Sequence, residues 1–261
     1  MATPAGDDAL WIRRYRPRPD GAVRLVCLPH AGGSASFFHP MATGMPDSVD
    51  VLAVQYPGRQ DRRTEPCVPT VGDLADHVTR ALLPWADRPL LFFGHSLGAT
   101  LGFEVARRLE NDHGVVPLGL FASARRAPSR TRSETVHLRD DEGIIQEMRE
   151  LSGTNSAILD DEELIRMALP AIRADYRAVE TYVYEPGPKL HCPVVSLVGD
   201  TDPKVTLDEA RAWAEHTEGP FEFRVFKGGH FYLSSHQAEI MRLIADRSPT
   251  ASVTSPRPAN A

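Results

Sequence analysis

Cysteine is scarce in this chain. Cys27, Cys67 and Cys192 are odd in number and far apart, so neither a disulfide framework nor a zinc site is suggested. Lysine is nearly absent. Lys189, Lys204 and Lys227 are the only three, and the other 26 of the 29 basic residues are arginine. We read that bias as genome composition before function. The net charge is -6, so a nucleic-acid partner has no electrostatic support. No run approaches the ~18 apolar residues of a membrane span. The first ten residues include Asp7 and Asp8 and no apolar stretch, unlike a secretory signal. These absences make the cytoplasm the expected location and a membrane an unexpected partner.

What remains suits one sizeable core. Of 261 residues, 42% are hydrophobic and 25% charged, and α/β folds often take this length as one domain. The most informative stretch is Gly94-His95-Ser96-Leu97-Gly98. It follows the apolar run Pro89–Phe93 and leads into an amphipathic segment in which Leu97, Leu101, Val105 and Leu109 recur every four residues. A G-x-S-x-G between a buried strand and a helix is the setting of a nucleophile elbow. The turn pushes Ser96 out at the strand end, and the flanking glycines remove Cβ atoms that would clash there. The helix then aims its free N–H groups at any developing oxyanion. The bland alternative is a structural Gly-Ser-Gly turn.

Around this centre the chain reads as alternating strands and helices. Leu10–Tyr15, the turn cluster Pro17–Gly21 and Ala22–Leu28 predict an antiparallel hairpin. The small-residue loop Pro29-His30-Ala31-Gly32-Gly33-Ser34 follows. Such a loop supplies the second oxyanion donor in hydrolases of this type, so the Ala31 and Leu97 amides are the expected pair. A plain strand-to-helix connector is the competing reading. Further strands are expected at Val49–Val54, Pro117–Ser123, Pro193–Gly199 and Phe221–Phe226. A surface helix is expected over Thr70–Trp85 and a closing helix over Gln237–Ala245. Gly102 falls inside the elbow helix, where close packing on the sheet would explain it.

For about sixty residues after Ser123 the α/β rhythm stops. Helical patterns appear instead, one carrying Ile144, Ile145, Met148 and Leu151 between Asp140 and Gly153. The next carries Leu164, Ile165, Ala168, Leu169, Ile172, Tyr176 and Val179 after a capping pair, Asp160 and Glu163. Pro170 should kink or break this helix. A helical insertion here would form a lid, at about 126–188, over the serine. Met148 and Met167 are its expected acyl-contacting residues. A subdomain that only covers core is the alternative.

Two carboxylates follow the strand at 193–199, Asp200 and Asp202. Either could orient a histidine or cap the helix beyond. Asp202 lies further out on the turn and precedes Pro203. His230 follows a Gly-Gly turn at a strand end, and of the ten histidines it is the best base. His30, His95 and His236 are read as structural. The order Ser96, Asp202, His230 is that of the α/β-hydrolase triad. From Ser248 on, Ser, Thr, Pro and Ala dominate, so 248–261 is an expected disordered tail beyond a single domain over 1–247.

Five motifs together resemble a known family: Pro29-His30-Ala31-Gly32-Gly33-Ser34, Gln55-Tyr56-Pro57-Gly58-Arg59, Gly94-His95-Ser96-Leu97-Gly98-Ala99, Gly199-Asp200-Thr201-Asp202-Pro203 and Gly228-Gly229-His230-Phe231. They are similar to the stand-alone type II thioesterases of modular polyketide synthases and nonribosomal peptide synthetases. The resemblance runs from about Trp11 to Arg247, with Gln-Tyr-Pro-Gly-Arg its most specific part. It implies an α/β-hydrolase fold, with a mostly parallel central sheet, flanking helices and a helical lid. It favours Asp202, because the family's acid precedes proline. It also implies editing: hydrolysis of stalled or wrong acyl groups from the phosphopantetheine arm of acyl or peptidyl carrier proteins, with no cofactor and no metal. Carrier proteins are usually acidic, so Arg59, Arg62, Arg63, Arg125 and Arg126, with Arg130 and Arg132, are expected docking residues on a monomer. A general carboxylesterase or lipase, and an idle synthase-binding partner, stay open as alternatives.

Overall fold

The structure is a computed structural model and describes residues 10–152 and 162–248. Seven strands form one sheet in the order β1-β3-β2-β4-β5-β6-β7. In chain order they are β1 (Ile12–Arg13), β2 (Val23–Leu28), β3 (Val49–Val54), β4 (Leu90–His95), β5 (Gly119–Ser123), β6 (Val194–Gly199) and β7 (Phe221–Phe226). All pairings are parallel except β1 with β3. Strands β2 to β6 are buried along their whole length. That explains why they read as continuous apolar runs, since both faces of a parallel sheet are covered. In β2, Val26 and Leu28 join one core, while Leu25 and Cys27 join the core on the opposite face. In β4, Phe92 and Phe93 divide in the same way.

The first core is closed by α2 (Val71–Leu82) and α3 (Leu97–His113), the second by α1 (His39–Gly44) and α7 (Gln237–Ala245). Thr70 caps α2 by accepting from the Asp73 amide at 3.1 Å. Gly114 ends α3 in the left-handed region, at φ 66°. Gly102 packs as expected, because a Cβ there would lie 3.2 Å from Leu120 Cδ1 and 3.3 Å from Leu28 Cδ1.

Between β5 and β6 the chain forms α4 (Asp141–Ser152) and α5 (Glu162–Glu180). Val136, Ile144, Ile145, Ile165, Leu169 and Ile172 make a small core of their own. Two expectations are corrected. The Leu10–Leu28 hairpin does not form, because β1 pairs with β3, Ile12 opposite Val54. The turn cluster is instead tied to the start of β3, where Asp50 accepts from the Arg18 amide at 3.1 Å and from Arg14 Nη2 at 2.8 Å. Helix α5 runs through Pro170 without a break. Pro170 lies on the exposed side, where water can serve the carbonyl it leaves unbonded, while the buried side holds the helix by packing. The expected cap at Asp160, the stop at Gly153 and the tail beyond Ser248 lie outside the described residues. A short helix α6 (Leu207–Arg211) follows β6, with a full capping box between Thr206 and Glu209.

The strand order places the site. The chain passes from β2 outward to β3, then returns to β4 on the other side of β2. The crevice at the carboxyl ends of β2 and β4 is therefore a topological switch point, where ligands bind in such sheets. Leu28 pairs with Gly94, so the loop after β2 opens beside the serine turn after β4.

Candidate active site

Ser96 has φ 55° and ψ -117°. A side chain rarely adopts that backbone, and such strain clusters at functional sites. Packing enforces it. A Cβ on Gly94 would lie 2.1 Å from the Gly98 carbonyl oxygen, and one on Gly98 2.0 Å from the Leu28 carbonyl oxygen. Only glycine at both positions lets the first turn of α3 approach β2 so closely. The Ser96 amide donates to the Ser123 carbonyl at 2.8 Å, which anchors the turn to β5. Leu97 is the first residue of α3, where an amide has no acceptor within the helix. Among the described residues nothing accepts from the Ala31 amide either.

His230 and Asp202 stand at the ends of β7 and β6. His230 Nδ1 lies 2.9 Å from Asp202 Oδ2 and 3.1 Å from Oδ1, with side chains 4% and 0% exposed. The Lys204 amide holds Asp202 Oδ1 at 2.8 Å. Asp200 points elsewhere and accepts from the Gly228 amide at 2.8 Å. Its carboxylate shapes the turn that delivers His230. His30, Ala31, Ser96 and His230 line one cavity of about 40 Å3, together with Tyr176 and Val179 from α5 and Leu151 from α4. A larger cavity of about 440 Å3, between α2, α3 and the end of α5, touches none of the four.

The two other histidines nearby are held neutral. Burial, with His230 and Arg59 nearby, pushes His30 down to about 3, and its ring sits between Phe37 and Phe231. Burial also drives His95 well below the usual range, and its Nδ1 pairs with Ser123 Oγ at 2.9 Å. Both are packed elements of the site wall.

Several expected contacts do not form. Arg59, Arg62 and Arg126 are buried and paired inside the chain, which corrects their placement on a docking surface. Arg59 meets Asp175 on α5 at 2.6 and 2.9 Å. Arg62 meets Glu65 at 2.6 Å and stacks over Trp11. Arg126 meets Glu134. Partly buried Arg125 donates to Thr100 Oγ1 at 3.0 Å and lines the cavity. Arg130 and Arg132 pair with Glu215 and Glu209, while Arg63 is exposed. Met167 is 62% exposed on the outside of α5, and Met148 packs into the small core of the insertion. Neither lines the cavity, and Leu151, Tyr176 and Val179 stand where they were expected. Sequence reasoning also passed over Asp175. The signal was available: an acid three residues after Ile172 and four before Val179, on the apolar face of a helix, needs a buried partner.

Comparison with known proteins agrees with this geometry. Residues 23–247 match the model of the thioesterase domain family. The chain is 52% identical over 257 residues to thioesterase PikA5 of Streptomyces venezuelae, covering 96% of this chain and 92% of that one. It is 56% identical over 235 residues to a Streptomyces griseus protein named "Probable cadicidin biosynthesis thioesterase", but spans only 65% of that protein's length. Among solved structures, the type II thioesterase BorB from the borrelidin cluster superposes with a TM-score of 0.88 at 53% identity, covering 94% of this chain and 99% of that one. RedJ of the prodiginine pathway in Streptomyces coelicolor superposes with a TM-score of 0.83 at 32% identity, covering 95% and 90%. The chain therefore belongs to the thioesterase domain family and is a relative of the type II thioesterases.

Proposed function

We propose that this protein is a serine thioesterase that hydrolyses aberrant or stalled acyl groups from the phosphopantetheine arm of acyl or peptidyl carrier proteins, as an editing enzyme of polyketide or nonribosomal peptide biosynthesis. The observation that carries the chemistry is the Asp202–His230 pair beside Ser96 on its strained turn. The relatives' names support the pathway context.

Ser96 attacks the thioester carbonyl while His230 takes its proton, and Asp202 holds the imidazole through Nδ1–H. The Ala31 and Leu97 amides receive the oxyanion. Collapse expels the pantetheine thiol, which takes its proton from His230. Water activated by His230 then attacks the acyl-serine and releases the acid. The insertion of α4 and α5 acts as a lid, with Leu151, Tyr176 and Val179 against the acyl group. The enzyme works as a cytoplasmic monomer and needs no cofactor. Arg63 is the exposed arginine left for carrier docking.

The test compares an acyl carrier protein loaded with a short acyl group, the matching free pantetheine thioester and a simple oxoester. Higher kcat/KM on the carrier than on either small substrate is expected. Oxoester turnover far above both thioesters would instead make the protein a general carboxylesterase.

A further inference from the structure

The loop that carries Ala31 is held from α5. Gly32 adopts φ +77°, and a Cβ there would meet Ile172 Cγ1 at 2.7 Å. One turn along the same helix, Asp175 Oδ2 accepts from the Gly32 amide at 2.8 Å. Arg59 closes the arrangement from the far side. Its Nη1 donates to Asp175 Oδ2 at 2.6 Å and to the Gly33 carbonyl at 3.0 Å, and its Nη2 to Asp175 Oδ1 at 2.9 Å. The Tyr56 ring lies 5.2 Å under the guanidinium, and the Tyr56 hydroxyl donates to the Pro29 carbonyl at 3.1 Å. Residues 29, 32 and 33 are thus each tied down, and the amide of residue 31 is left to the cavity. The side chains of Arg59 and Asp175 are 7% and 2% exposed. Burial works against the Arg59 charge, but the carboxylate outweighs it and raises the guanidinium pKa.

A buried ion pair is weak evidence for stability, because apolar residues of similar volume often do as well. This one does something they cannot: it supplies the acceptor for Gly32. We propose that Asp175 is a positioning residue for the oxyanion loop. Through the Gly32 amide, and through Arg59 on Gly33, it keeps the Ala31 N–H aimed at the carbonyl oxygen of the substrate. The inference rests on Ala31 being an oxyanion donor. Donors of this kind act by being preorganised, and a misplacement of about 1 Å can cost on the order of 10²-fold in rate. It also makes α5 a fixed wall of the catalytic loop: any motion that draws α5 away takes the acceptor of Gly32 with it.

Stability and rate separate in the test. Asp175→Ala alone orphans a buried guanidinium, so both Tm and kcat fall. The double variant Arg59→Leu/Asp175→Ala removes both charges. Its Tm recovers toward wild type, but kcat on an acyl-pantetheine thioester stays about 10–100-fold low with KM within about twofold. Asp175→Asn keeps an oxygen for Gly32 while losing the charge. Its Tm falls, yet kcat stays within about fivefold of wild type. Recovery of kcat along with Tm in the double variant would overturn the proposal. So would a loss in Asp175→Asn as large as in the double variant. Replacing the Ala31 peptide N–H by an ester oxygen separates the two levels. Full kcat in that ester would overturn the oxyanion assignment itself, whereas a lowered kcat there with a fully active double variant would overturn only the role of Asp175.

Discussion

The imidazole of His230 is bound by Asp202 at 2.9 Å, while Asp200, two residues earlier, turns its carboxylate to the Gly228 amide at 2.8 Å. Two acids on one turn thus have separate tasks, one orienting a base and the other shaping the loop that presents it. Asp202→Asn is expected to lower kcat by roughly 10³–10⁴-fold, as loss of the orienting acid does in such triads. Asp200→Asn is expected to stay within about tenfold and to lower Tm. Steady-state kinetics of the two variants check this.

The elbow tolerates no side chain at its second glycine. A Cβ on Gly98 would sit 2.0 Å from the Leu28 carbonyl oxygen, which is backbone and cannot swing aside. Gly98→Ala is expected to destabilise the fold by about 3 kcal/mol or more and to abolish turnover. Urea denaturation and an active-site titration with a fluorophosphonate measure both effects.

Acid should unfold the protein early. His30 has its pKa lowered from 6.5 to about 3, chiefly by burial, and His216 to about 4 for the same reason. Between the ordinary value and these, the unfolded chain binds protons that the folded chain does not. Stability is therefore present above pH 6.5 and is lost as pH falls toward 3, by about 1.4 kcal/mol per pH unit for each such group. His216→Gln should flatten the slope of urea midpoint against pH between 6.5 and 4. An unchanged slope would remove His216 from the account.

Tyr176 and Val179 narrow the cavity beside Ser96 to about 40 Å3. Tyr176→Ala is expected to raise kcat/KM for longer acyl chains relative to acetyl by about tenfold, because the added apolar volume accepts more methylenes. A chain-length series on pantetheine thioesters checks it. An unaltered profile would leave α5 without a role in acyl choice.

Much of this was legible in the sequence, for physical reasons that also mark its limits. The elbow, Ala31 and Asp202 lie just past buried apolar strands and His230 just past the alternating edge strand β7, and a parallel sheet brings the ends of such strands to one edge. The partner of β1 was not legible. Two residues carry no pattern, and the choice between β2 and β3 is made by Arg14 and Arg18 closing on Asp50 across more than thirty positions. Arg59 and Arg62 read as a charged surface because their acids are distant or ambiguous. Arg59 finds its carboxylate 116 positions away on α5. Met148 shares a sequence pattern with the cavity-lining Leu151, but helix rotation within the insertion decides which side faces Ser96.

Ser96 as the nucleophile of thioester hydrolysis is tested most directly by single-turnover hydrolysis of an acylated carrier protein with wild type and Ser96→Ala. Release by the wild type, and loss of at least about 10³-fold in Ser96→Ala with Tm unchanged, is the expected result. Equal release by both proteins would contradict the account.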